Sequence, residues 1–142
     1  LRSPNPTVRY WGAIGLAAHR QKPTKSCFNA LEKALTDSSP SVRIEAANAL
    51  AKHGYMAAAL PILISELKHE NLIVVTHAAR TIELLGEKAE EAIPAMRACL
   101  KRAHKIRPPE LSPVIVLPGD QDMAMFVGFS CKAFLDQFRD SD

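Results

Sequence analysis

Aromatic side chains are scarce in this chain. It has one tryptophan, two tyrosines and five phenylalanines in 142 residues. Alanine is plentiful instead, which suits helices packed closely against helices and argues against a β-sandwich. Cysteine is also rare and has no motif. Cys27, Cys99 and Cys131 form no CxxC pair, and an odd count excludes full pairing within the chain. They read as small buried hydrophobes, and they leave the redox compartment open. No apolar run approaches the ~20 residues that a membrane-spanning helix needs. No signal peptide is visible, and no glycine-rich phosphate loop or Ser/His/Asp pattern appears. The chain begins at Leu1 without an initiator methionine, so a fragment of a longer protein is expected. Charge of one sign is lacking too. Eighteen basic residues face fifteen acidic ones, for a net charge of +3, and the lysines are scattered. Nucleic-acid binding would call for cationic charge clustered on one face, so no nucleic-acid partner is expected.

What is present is apolar content and repetition. Apolar residues make up 47% of the chain, enough for a globular domain of this length. Segments 6–16, 40–50 and 72–82 align with one another. Val8, Val42 and Val74 coincide, as do Gly12, Ala46 and Ala78, and then Leu16, Leu50 and Ile82, with spacings of 34 and 32 residues. Such periods belong to stacked helical hairpins. Each segment starts alike. Asn5, Ser39 and Asn71 stand at the N-cap, with Pro6 and Pro40 next in line. Gly54 and Gly86 close the second and third. A second helix alternates with the first: segments 27–35, 59–67 and 92–100 align, and Pro61 and Pro94 share one place, in a first turn or at a bend.

The expected fold is all-α, an α-α superhelix or armadillo-like solenoid of about seven helices. These cover 6–19, 24–36, 40–53, 56–68, 72–85, 88–104 and 121–138, in a single domain spanning 1–142. Residues 105–120 hold four prolines and read as an irregular loop, with a short extended piece at 114–117. The last helix carries Phe126, Phe129, Phe134 and Phe138, and is expected to seal the end of the stack.

Residues 37–50 (Asp-Ser-Ser-Pro-Ser-Val-Arg-Ile-Glu-Ala-Ala-Asn-Ala-Leu) resemble the second half of a HEAT repeat, in which Val-Arg precedes paired small residues and a leucine. The pattern recurs with loss. Arg9 matches Arg43, but Val75 replaces the arginine in the third copy, and the Asp37 position is Ser3 and His69 in the others. A narrower resemblance links 8–16, 41–47, 85–89 and the pair Ile93 and Pro94 to the C-terminal HEAT extension of bacterial sulfatases similar to N-sulfoglucosamine sulfohydrolase. In that family the catalytic Cys/Ser-x-Pro-x-Arg motif and a calcium site lie upstream. Neither Ser38-Ser39-Pro40 nor Ser112-Pro113 continues into that motif, so no catalytic residue carries over.

The remaining candidates for chemistry have structural explanations. His19 and His53 occupy equivalent positions, but neighbouring helices lie ~8–10 Å apart, too far for two ligands ~2 Å from one zinc ion. Both read as helix-end histidines. Glu87, Glu90 and Glu91 read as first-turn acids, and the basic run at 101–107 as charge at a helix C-terminus, with an anionic partner such as a sulfated glycan as the other reading. No catalytic, cofactor-binding or metal-binding residue is assigned.

One contrast points to a partner. Glu45, Asn48 and Lys52 make a polar stripe in the second repeat, and His77, Arg80 and Leu84 stand there in the third. In the first helix the same places hold Trp11, Ile14 and Ala18, with Tyr10 at the same end. Something should cover this apolar face: either a partner helix of the same repeat, or another domain or subunit. Arg9, Asp37 and Arg43 read as structural repeat residues, with Arg43 tying repeats together through Asp37 or nearby carbonyls. The expected function is a non-catalytic interaction or scaffolding module that binds protein, the C-terminal extension of a sulfatase-like hydrolase. On that resemblance the parent is bacterial and exported or periplasmic. The alternative is an independent HEAT adaptor. A third, a HEAT-like lyase acting on bilin chromophores, would need a pocket that no residue set here supplies.

Overall fold

A computed structural model describes residues 1–19, 21–107 and 120–139. Among the described residues the chain is all-α, with no strand. Its helices are α1 (Pro6–Ala18), α2 (Lys25–Ala34), α3 (Pro40–Lys52), α4 (Met56–Glu66), α5 (Leu72–Leu85), α6 (Ile93–Ile106) and α7 (Asp120–Asp136), with a 3-10 turn at Gly86–Ala92 before α6. They form two compact units, Leu1–Leu63 and Ile64–Asp142.

The repeat is visible in the hydrogen bonds that start α1, α3 and α5. In each, the N-cap backbone N–H donates to the side chain two residues earlier. Asn5 donates to Ser3 Oγ at 3.2 Å, Ser39 to Asp37 Oδ1 at 2.9 Å, and Asn71 to His69 Nδ1 at 3.0 Å. Three different side chains supply the acceptor at one repeat position. Asn5 and Asn71 then cap their helices, accepting from the N–H of Thr7 and Ile73 at 2.9 Å. The Ser39 hydroxyl makes no such bond. Gly54 and Gly86 adopt positive φ, 91° and 59°, where a Cβ would be strained. That is the chemical reason both hairpins turn at glycine.

In the first unit α3 packs against α1 and α2. Its buried residues are Val42, Ile44, Glu45, Ala46, Ala47, Ala49, Leu50 and Ala51, which nearly encircle the helix. The run of alanines lets neighbouring backbones approach closely, and a helix apolar all round belongs in an interior. The polar stripe of α3 is therefore only partly solvated: Lys52 is exposed and Asn48 half-buried, but Glu45 is 7% exposed. It accepts from Asn48 Nδ2 at 3.1 Å, and a buried carboxylate needs such partners.

In the second unit α7 packs on both α5 and α6. Ala124, Val127, Cys131 and Phe134 are buried and fall at helical spacing on one side of α7. The expected seal of four phenylalanines is corrected here. Phe134 is buried and its ring meets Phe138 at a tilt, centroids 5.1 Å apart, but Phe126 and Phe129 are exposed. The 3-10 turn is a second correction. Glu87, Glu90 and Glu91 lie in it and not in the first turn of α6, because Ala89 leaves helical geometry at φ −105°, ψ 23°. Pro94 sits in the first turn of α6 and Pro61 inside α4. Most of the 105–120 loop, including 114–117, lies outside the described residues.

Candidate functional site

Arg9 fixes α1 to the turn before α3. Its guanidinium grips the Asp37 carboxylate with two bonds, Nε to Oδ2 at 2.7 Å and Nη2 to Oδ1 at 2.8 Å. Both side chains are largely buried, and this forked geometry is the stronger form of ion pair. The third arm donates to the carbonyls of Ser3 (2.9 Å) and Pro4 (3.0 Å). Arg43 repeats that third arm one hairpin later, donating to the carbonyls of Asp37 (2.7 Å) and Ser38 (3.4 Å). Arg43 thus takes the Asp37 carbonyl and Arg9 the Asp37 carboxylate. In the third copy Val75 cannot donate. Arg102 of α6 does so instead, reaching the His69 carbonyl at 3.3 Å, the acceptor equivalent to Ser3 and Asp37.

The Arg9 hydrogen bond, aided by the Ser39 N–H and the charges of Arg9 and Arg43, holds the Asp37 carboxyl below its ordinary value against the opposing effect of burial. A lowered folded-state pKa contributes stability above the unfolded value, and that stability is lost as pH falls through the folded one. The Asp37→Asn variant should therefore melt below the wild type at neutral pH. The gap should narrow as pH falls below the ordinary aspartate value of about 4 and close once the lowered value is passed. Thermal unfolding of both chains across that range checks it; a gap that persists unchanged at the acid end would remove the ion pair as its cause.

With α1 held this way, one side of it is bare. Val8, Trp11, Gly15 and Ala18 are exposed and lie at i, i+3, i+7 and i+10, a single stripe. Trp11 is 63% exposed. Tyr10 and Ile14 are half-buried on the flank, and the Tyr10 ring meets Trp11 edge-on at 5.5 Å. Burial, and secondarily the Glu45 charge, raises the Tyr10 phenol above its ordinary pKa, which places Glu45 of α3 near α1. The repeat equivalents of Val8, Trp11 and Gly15 are Val42, Glu45 and Ala49, all buried. A face that is an interior contact in α3 is thus apolar and open in α1. The sequence reading found Trp11, Ile14, Ala18 and Tyr10. It did not single out Val8, which it only aligned with Val42 and Val74, or Gly15, whose lack of a side chain leaves the ring of Trp11 prominent.

The other candidates serve the fold. His53 Nε2 lies 3.0 Å from the Leu16 carbonyl, closing the C-terminal end of α1 onto α3; His19 ends α1 and is exposed. The basic run at the end of α6 divides. Arg107 is buried and pairs with Asp122 at 2.9 Å, and Arg102 holds the His69 carbonyl, while Lys101, His104 and Lys105 face solvent. Phe126 and Phe129 line an open groove of about 330 Å³ with Thr76, Arg80, Glu83, Ser130 and Ala133, where Arg80 and Glu83 form an ion pair. No described helix is long and apolar enough to cross a membrane.

A family model described as HEAT repeats matches residues 1–65 and 30–107. No curated protein and no solved structure matches the chain.

Proposed function

The chain belongs to the HEAT-repeat family, and from that premise we propose that it is a non-catalytic protein-interaction or scaffolding module whose contact face is the bare stripe of α1. The observation that carries the reading is the contrast between Trp11, open to solvent, and its buried equivalent Glu45. Buried aromatic anchors contribute disproportionately to protein interfaces, and truncating one can cost about 2 kcal/mol or more. Val8 and Trp11 supply the apolar centre. Arg9, gripped by Asp37, keeps the helix that presents them from shifting.

Trp11 is the only tryptophan, so acrylamide quenching reads the face directly. In the dilute chain alone Trp11 should be freely quenched. In the complete protein from which the chain derives, or with its partner subunit, it should be shielded. The Trp11→Ala variant should then bind that partner at least about 30-fold more weakly. Full protection in a dilute monomer would sink the proposal.

The narrower reading, a C-terminal extension of a sulfatase-like hydrolase, rests on the sequence resemblance at 8–16, 41–47 and 85–94 alone; the alternative is an independent adaptor using the same face. The reading frame upstream of Leu1 separates them, since a Cys/Ser-x-Pro-x-Arg motif there favours the first and a nearby start codon the second.

A further inference from the structure

We propose that the exposed side of α6, together with Lys68 beyond the end of α4, is a docking surface for an acidic peptide segment that carries an apolar residue among its carboxylates. α6 holds Arg97, Lys101, Arg102 and Lys105 and no acid. Four cations against no acid give this one helix +4, when the whole chain has a net charge of only +3. The helix dipole accounts for His104 and Lys105, which lie in the last turn, because its effect falls off within that turn. It does not account for Arg97 and Lys101, which come earlier, or for Lys68, which is on another element.

Arg97, Lys101 and Lys105 recur every fourth residue, with His104 beside them, and all four are exposed. Like charges at i and i+4 destabilise a free helix, so helix stability does not explain the stripe, and carboxylates laid along it would relieve it. At 1.5 Å per residue these cations follow one another about 6 Å apart along the axis. Every second residue of an extended peptide advances about 6.6–6.8 Å. Carboxylates at alternate positions of such a peptide therefore keep step with the three cations.

Arg102 and Lys68 stand on the flank of this stripe. They line a cleft of about 160 Å³ with Ile64, Leu67, Ala95 and Ala98, and no acid lines it. Arg102 is half-buried and donates to the His69 carbonyl at 3.3 Å, which holds its charge at the cleft. Two cations over aliphatic walls suit a carboxylate with an aliphatic neighbour. A sulfated glycan would satisfy the cations but has no aliphatic side chain to place between Ile64 and Ala98. All of these residues lie in the second unit, so the surface is complete without the α1 stripe and is a second contact face.

The test follows the fluorescence anisotropy of a short fluorescein-labelled peptide, with glutamate at alternate positions and one central leucine, as the chain is added. The wild type should bind it, and more weakly as salt rises. Reversing two exposed charges in the Lys101→Glu/Lys105→Glu variant should weaken binding at least about tenfold. Lys68→Glu alone should weaken it about fivefold, and serves if circular dichroism shows the double variant to be poorly folded. Changing the peptide's leucine to serine should cost about tenfold, the effect of burying one such side chain. Trp11→Ala should bind the peptide as the wild type does. The proposal is overturned if the wild type does not bind, if the charge reversals change nothing, or if Trp11→Ala abolishes binding. It is also overturned if a heparin-derived oligosaccharide binds at least as tightly while the serine peptide loses nothing, which would make α6 a surface for polyanions at large.

Discussion

Replacing Phe134 with alanine should destabilise the second unit by about 3–5 kcal/mol, the usual cost of emptying a fully buried aromatic site. The ring is completely buried at the end of the α7 stripe and meets Phe138 at a tilt. Its loss leaves a cavity among rigid helices and removes that ring contact as well. The control lies five residues earlier on the same helix. Phe129 is 55% exposed, so Phe129→Ala should change stability by less than about 1 kcal/mol. Urea denaturation followed by circular dichroism separates the two, with the shift expected in the midpoint and not in the slope. Comparable losses from both substitutions would mean that Phe129 is covered in solution and that the α5–α7 groove is not open.

The contrast between these two phenylalanines marks how far the sequence could be read. Helix starts were legible because their chemistry is local: an asparagine cap bonds within its own first turn, and proline follows where its missing N–H costs nothing. The glycine stops were legible for the same reason, since positive φ at Gly54 and Gly86 is a property of the residue itself. The equivalence of Ser3, Asp37 and His69 was legible as an alignment, although only the structure shows that all three accept from the N-cap N–H. Burial was harder, because it depends on what lies across from a residue. Glu45 reads from the sequence as part of a polar stripe, yet its position in the repeat places it in the packed interior, where it accepts from Asn48. Four phenylalanines between 126 and 138 read as one seal, although helical periodicity puts Phe134 and Phe138 on the face of Ala124, Val127 and Cys131 and leaves Phe126 and Phe129 off it; testing that periodicity separates the two pairs. Arg102 could not have been linked to His69 by any local rule, because the bond joins residues 33 apart on different elements. In the candidate site, apolar character was legible and exposure was not, so Val8 stood only as the aligned partner of the buried Val42.

The same distinction gives a sharper test within the repeat itself. Leu16, Leu50 and Ile82 occupy one repeat position, and a reading by alignment alone would assign them equal weight. Leu50 and Ile82 are fully buried, whereas Leu16 is half-buried, on a helix whose neighbouring stripe is open. Leu50→Ala should therefore cost about 2–5 kcal/mol, the range for a buried leucine whose surroundings relax only in part. Leu16→Ala should cost about 1 kcal/mol, in keeping with the smaller apolar area it withdraws from water. The Leu16 carbonyl that accepts from His53 is backbone, so that bond survives the substitution and does not blur the comparison. Chemical denaturation at low protein concentration reads both values. At high concentration, a cost for Leu16→Ala that climbs toward that of Leu50→Ala would show α1 being covered by a second molecule. Equal costs in the dilute monomer would instead place Leu16 in an interior of this chain's own, and the open face of α1 would lose its standing as a contact surface.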